Sequence, residues 1–153
     1  MKKKLVIFEG PDKSGKSTLY QAYRKATDYQ PLVIDRWIGS QIVYDSIWGR
    51  EDKSKDWHKH EKELEALYDV YLVVVTAPVS TLRRRITKDE TDEKERKVAL
   101  RTYREADELF RQYLEQSNFK NKILVDTSKP LKKSLEEILE FTGEENTGNK
   151  GGL

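Results

Sequence analysis

Residues 8–18 read FEGPDKSGKST, and no other stretch limits the fold of this chain so strongly. Gly10 is followed by four residues and then by Gly15-Lys16-Ser17, the spacing of a phosphate-binding P-loop. Before it, Leu5-Val6-Ile7-Phe8 is a short apolar run that predicts a buried strand. After it, Leu19, Tyr20, Ala22, Tyr23 and Ala26 recur at helical spacing. A strand, a glycine loop and a helix in that order give the pattern a physical meaning.

Each residue of the loop then has a chemical reason. Gly10 and Gly15 let the backbone turn tightly, so that successive N–H groups point inward at an anion. The following helix adds the positive end of its dipole. Lys16 is placed to reach the β- and γ-phosphates of ATP as a flexible point charge, and the Ser17 hydroxyl to ligate Mg²⁺. The expected nucleotide-binding set is Gly10, Pro11, Asp12, Lys13, Ser14, Gly15, Lys16, Ser17 and Thr18.

The chain length of 153 residues fits one domain, with residues 1–142 structured and residues 143–153 (GEENTGNKGGL) a disordered tail without apolar anchors. Twenty-nine basic against 27 acidic residues leave +2, a balance that gives no argument for nucleic acid or for a membrane surface. There is no cysteine, hence no disulfide and no thiolate metal site. The apolar run after Met1-Lys2-Lys3-Lys4 ends at Glu9, too short for a signal sequence, and no stretch has transmembrane length. A cytoplasmic protein is expected.

Further along, Leu32-Val33-Ile34-Asp35 after Pro31 predicts a second buried strand, and residues 39–48 a short helix. Residues 49–55 form a charged loop. Trp57, Glu61, Leu64, Leu67 and Tyr68 mark a further helix. Tyr71-Leu72-Val73-Val74-Val75 is an aromatic and β-branched strand. Pro78 opens a helix with Val79, Leu82 and Ile86 facing inward, and residues 87–95 are a polar loop or helix start. A long amphipathic helix carries Val98, Thr102, Ala106, Leu109, Phe110 and Tyr113 on one side. Ile123-Leu124-Val125-Asp126 is the last strand, and Leu131, Leu135, Ile138 and Leu139 mark the closing helix.

Four apolar strands alternating with helices give an α/β fold, a parallel sheet covered on both faces. Ligands in such sheets bind beyond the strands' C-terminal ends, which gathers Gly10 to Ser17, Asp35-Arg36 and the segment after Thr76. There Asp35 has the chemistry to hold a metal's hydration shell or to accept a proton. Arg36 offers a planar fork to a second phosphate.

FEGPDKSGKST together with DRWIGSQIVYD resembles the thymidylate kinases, and more widely the deoxynucleoside kinases. Their loop has the form FEG-x-D-x-x-GKST, and their next motif is similar to DR-Y-x-x-S-x-x-A-Y-Q. This chain supplies Asp35, Arg36, Trp37 in place of the Tyr, Ser40 and Tyr44. Ala77-Pro78, an Arg-rich helix and VDTSKP extend the likeness into the C-terminal half. The resemblance implies that Asp12 meets the acceptor sugar, Arg36 its monophosphate, and Trp37, Ser40 and Tyr44 the rest of the acceptor. It places Lys13 where some members carry a clamping Arg, and makes Arg84 or Arg85, from the run Arg83-Arg84-Arg85, a closing lid arginine. A homodimer is implied by the family alone. The chain departs from the family in one region: Tyr29-Gln30-Pro31 leads almost directly into the DR strand, where members insert a strand, an Arg-Glu-Pro loop and base-stacking helices. Phage-encoded proteins of this minimal kind are a natural comparison.

His58 and His60, at i and i+2 on a helix, face apart and fit surface or sugar-facing positions better than a metal site. Trp57 fits core packing, whereas Trp48, before Gly49-Arg50, is the better acceptor contact. The leading expectation is Mg²⁺- and ATP-dependent phosphoryl transfer to a nucleoside monophosphate, dTMP or another deoxynucleotide, with Lys16, Lys13, Asp35, Arg36 and a lid arginine in catalysis. Two rivals stand beside it. One is a kinase for a nucleoside, another hydroxyl compound or a nucleic-acid 5′ end. The other is a nucleotide-binding regulatory module without turnover.

Overall fold

The computed structural model describes residues 1–89 and 92–148. The elements in chain order are β1 (Lys3–Glu9), α1 (Lys16–Ala26), β2 (Leu32–Asp35), α2 (Ile38–Ile47), α3 (Ser54–Leu67), β3 (Tyr68–Thr76), α4 (Val79–Asp89), α5 (Glu93–Gln116), β4 (Asn121–Asp126) and α6 (Leu131–Thr142). The strands make one parallel sheet in the order β2-β1-β3-β4, an α/β architecture with helices on both faces.

Strand alternation divides the core in two. Val6, Phe8, Val73, Val75 and Val125 turn to one face and meet Leu19, Tyr23, Ile138 and Leu139 of α1 and α6. Leu5, Ile7, Val70, Leu72 and Val74 turn to the other and meet Ile38, Val43, Leu64, Phe110 and Tyr113 of α2, α3 and α5. Each such side chain, removed from water, contributes about 1.5–3 kcal/mol, which is why the central strands are continuous apolar runs.

The elements predicted from sequence are present, with shifted edges. Tyr68 opens β3 rather than closing the preceding helix, because its backbone pairs with Lys3. Residues 87–89 continue α4 instead of starting a loop; the rest of that polar stretch resumes as helix from Glu93, and residues 90–91 lie outside the described residues. On α5, Thr102 is exposed and Val98 is 46% exposed, while Tyr103, Ala106, Phe110 and Tyr113 are buried. Tyr103 earns its place by polarity as well as size: its hydroxyl accepts from Ala77 N at 2.9 Å and donates to Ala77 O at 2.7 Å.

The predicted disordered tail begins at Gly143, which caps α6 in the left-handed conformation at φ 70°. Beyond it Glu144 pairs with Lys4 at 2.7 Å, and the Thr147 and Gly148 N–H groups both donate to Ala26 O at 2.8 Å. Residues 149–153 lie outside the described residues.

The two histidines take separate carboxylates three residues on. His58 Nδ1 lies 2.6 Å from Glu61, and His60 Nδ1 lies 3.2 Å from Glu63. Glu61 is fully buried and also accepts from Tyr113 Oη at 2.7 Å, Ser117 Oγ at 2.6 Å and Asn118 N at 3.1 Å. A charge buried this deeply is tolerated because four partners replace its water, and the same bonds tie α3 to the end of α5. Burial and the neighbouring Glu61 carboxylate push the Tyr113 phenol far above its ordinary value.

Truncating Glu61 to Ala would strand those donors in the interior. The expected loss is about 3 kcal/mol of stability, measured as a lower urea midpoint with an unchanged slope.

Candidate functional site

The glycine loop leaves β1 at Gly10, whose φ is 146°. A Cβ there would lie 2.4 Å from Val75 O, so the loop can press onto β3 only because the residue has no side chain. Gly15, at φ 90°, sits where a Cβ would lie 3.2 Å from Thr127 Oγ1. The Ser14 carbonyl accepts a short bond from the Thr127 hydroxyl, and Thr127 N donates to Thr76 O at 2.9 Å. The ends of β1, β3 and β4 are thereby tied together around one turn.

From that turn the side chains diverge. Lys16, at the start of α1, is 3% exposed and its ammonium pairs with the Asp35 carboxylate at the end of β2. Ser17 and Thr18 are exposed, and Pro11 is buried. Ser14 is fully buried and its hydroxyl has no hydrogen-bond partner. A buried hydroxyl without a partner is costly.

Arg36, one residue beyond β2, stands in the left-handed region at φ 68°, its N–H held by Phe8 O at 2.9 Å. Its guanidinium pairs with Asp12 of the loop, donates to Tyr44 Oη at 3.4 Å and lies 5.7 Å from the Tyr44 ring centroid. Burial pulls the Arg36 pKa down, but the Tyr44 hydroxyl and the Asp12 and Asp35 carboxylates outweigh it and raise it, so the charge is permanent. Tyr44 leads on to Trp48 (ring centroids 5.3 Å apart, 65% exposed), and Arg50 covers Trp48 at 4.8 Å. A ladder of Arg36, Tyr44, Trp48 and Arg50 thus runs outward along α2 and the turn after it.

Three of the expected residues meet other partners. Trp37 packs its ring edge on His60 at 5.6 Å. The Ser40 hydroxyl, expected at the acceptor, donates instead to Glu9 at 2.6 Å. Asp35, expected at a metal, meets Lys16. Among the described residues no group of three or more His, Asp or Glu is arranged to hold a metal ion. Magnesium bound through phosphates asks for little more than a hydroxyl and a carboxylate, and Ser17 and Asp35 are oxygen donors of the right kind.

Of the arginine run, Arg85 reaches the loop. Its Nη1 donates to Lys13 O at 2.7 Å and its Nη2 to Thr127 Oγ1 at 3.2 Å, whereas Arg84 is exposed. Lys13 itself is left-handed at φ 71°. Thr127, inside the VDTSKP stretch, was not among the residues expected from sequence, although it contacts three separate segments.

Two clefts meet at the loop. One of about 200 Å³ is lined by Pro11, Asp12, Lys16, Ser17 and Arg36. The other, of about 400 Å³, is lined by Arg85, Thr127, Lys129, Leu131 and Ser134, and both include Lys13, Gly15 and Thr18. A separate groove of about 390 Å³ between α2 and α5 contains no loop residue. Among the described residues no helix is long and apolar enough to cross a membrane.

No protein-family model matches the chain, and no curated protein does. Solved structures do. The YorR protein of Bacillus subtilis, in complex with phosphorylated GDP, superposes with a TM-score of 0.70 at 18% identity, over 91% of this chain and 95% of that one. The deoxyadenosine kinase of M. mycoides with bound dCTP superposes with a TM-score of 0.56 at 12% identity, over 89% of this chain and 97% of that one. At these identities the likeness establishes the fold, which this chain shares with both structures.

The orphan hydroxyl gives the site its own test. Ser14→Ala should leave stability unchanged or raise it by up to about 1 kcal/mol, since no hydrogen bond is lost. The urea midpoint measures it.

Proposed function

We propose that the chain is a nucleotide kinase that transfers the γ-phosphate of ATP to a nucleoside monophosphate, with deoxynucleotides such as dTMP the leading acceptors. The observation that carries this is the pair of clefts sharing one loop, each with its own cations. Arg85 and Lys129 line the larger, Lys16 and Arg36 the smaller, and Lys13 both. Such an arrangement suits two phosphorylated ligands meeting end to end. The nucleotides bound to the YorR protein and to the deoxyadenosine kinase support the reading.

In this reading ATP lies in the larger cleft with its phosphates on the loop amides. Lys16 leaves Asp35 to contact the β- and γ-phosphates, and Arg36 leaves Asp12 to hold the acceptor phosphate. An oxygen of the acceptor monophosphate attacks the γ-phosphorus, the bond from that phosphorus to the β–γ bridging oxygen breaks, and ADP departs. The attacking oxygen is already ionised at neutral pH, so no general base is required. Magnesium, held through Ser17 and Asp35, would neutralise phosphate charge. Arg85 already binds the loop backbone and needs only a small movement to reach the transferring group. A hydroxyl acceptor would instead need a base.

The test is phosphoryl transfer from Mg²⁺–ATP to a panel of nucleoside monophosphates, with nucleosides and a 5′-hydroxyl oligonucleotide included. Product should form with monophosphates, fall by about 10²–10³-fold in Arg36→Ala and vanish in Lys16→Ala. Product from a nucleoside or oligonucleotide alone would move the acceptor, and ATP binding without any product would leave a regulatory module.

A further inference from the structure

Glu9 is the last residue of β1, next to Gly10, and it is fully buried. Its carboxylate accepts from Trp37 N at 3.1 Å, Ser40 N at 2.9 Å and Ser40 Oγ at 2.6 Å. Two of those donors are backbone N–H groups at the start of α2, a helix whose own N-cap residue, Trp37, makes no side-chain capping bond. The cap comes instead from another strand, and the carboxylate's charge complements the positive end of the helix. Gly39 shows how closely the two approach: a Cβ there would lie 2.7 Å from Glu9 Oε2 and 2.7 Å from the Tyr113 ring. One residue earlier, Phe8 O holds the strained Arg36 N–H at 2.9 Å. Consecutive residues of β1 therefore grip both Arg36 and the helix that carries Tyr44.

We propose that Glu9 is a positioning residue that locks the acceptor-binding arm, Arg36 to Tyr44, to the base of the donor loop. This rests on the kinase reading above. Removing the grip would leave the loop itself in place, since its own ties run to Thr127 and Arg85. It would free the start of α2, and with it the geometry of Arg36 against Lys16. Glu9 also lacks the opening that a group exchanging protons with substrate needs, being fully buried with both oxygens occupied. Burial raises its pKa, against the lowering effect of the Ser40 and Trp37 bonds and of Lys16, the cation that acts on it.

The experiment compares the full chain with Glu9→Gln and Ser40→Ala. Amide hydrogen exchange reads the grip without substrate: Trp37 and Ser40 amides should exchange about tenfold faster in Glu9→Gln. Steady-state kinetics read its consequence. The acceptor KM should rise about tenfold, and the KM for ATP should stay within about twofold. Ser40→Ala should move the acceptor KM in the same direction by less. Unchanged exchange at both amides overturns the proposal, as does an unchanged acceptor KM in an active enzyme. A fall in kcat at constant acceptor KM, with loss of the acidic limb of the pH profile, overturns it too, since Glu9 would then be acting on a proton. If the wild-type chain phosphorylates nothing, the kinase reading fails, while the exchange data still judge the grip.

Discussion

The approach of the residue 10 backbone to Val75 O sets the geometry of the whole C-terminal edge. β1 lies between two parallel partners, and the chain leaving it must turn within one residue or collide with β3. A glycine at φ 146° makes that turn and lays the loop across the sheet ends. The residues of the candidate site then hang from the loop by short contacts: Thr127 from the Ser14 carbonyl, Arg85 from the Lys13 carbonyl, Asp35 from Lys16 and Arg36 from Asp12. Residues from four segments reach one place because one backbone passes close to another.

Two of these residues are held at a cost. Lys13 and Arg36 are both left-handed, and for a side chain with a Cβ that conformation costs about 1–2 kcal/mol. The ion pair of Arg36 with Asp12, whose side chain is 81% exposed, is too well solvated to offset it. The bond from Arg36 N to Phe8 O contributes about 1 kcal/mol. The remainder must come from the packing of β2 and α2 on either side. Strain that local contacts do not repay, placed where two clefts meet, is the pattern expected of a pre-arranged binding site.

The sequence carries the four strands and the loop plainly, because the strands are apolar runs, even β2 and β4 at the partly exposed edges, and the glycine spacing is stringent. Contacts made across the fold are less legible. Glu9 looks like an ordinary carboxylate at a strand end, and Glu61 shares the helical spacing of Trp57 and Leu64 without showing its partners; the tertiary structure has both fully buried, each with several donors. A polar residue inside or beside an apolar run, as Glu9 is after Phe8, was the available signal. Which of Arg83, Arg84 and Arg85 faces the loop depends on the rotation of α4, which Leu82 and Ile86 settle by burying themselves against Tyr103. Thr102 and Tyr103 show the same difficulty, since helical spacing alone leaves the stripe free to shift by one residue. Tyr68 falls at helical spacing after Leu64, but pairing with Lys3 makes it strand, and β3 follows α3 with no loop between them.

The short connection from α1 to β2 has a physical consequence for the proposed acceptor. Among the described residues β2 pairs with β1 alone, so nothing of the sheet continues beyond it. On the proposed reading the acceptor meets Arg36 for its phosphate and the Tyr44–Trp48 ladder for its base. Stacking on an indole is worth about 1–3 kcal/mol per base and scarcely distinguishes one base from another, because every base has a face. Discrimination comes from hydrogen bonds to base edges inside an enclosing pocket, and Trp48 is 65% exposed. Charge and stacking then set the affinity, and this geometry predicts tolerance of several bases rather than selection of one.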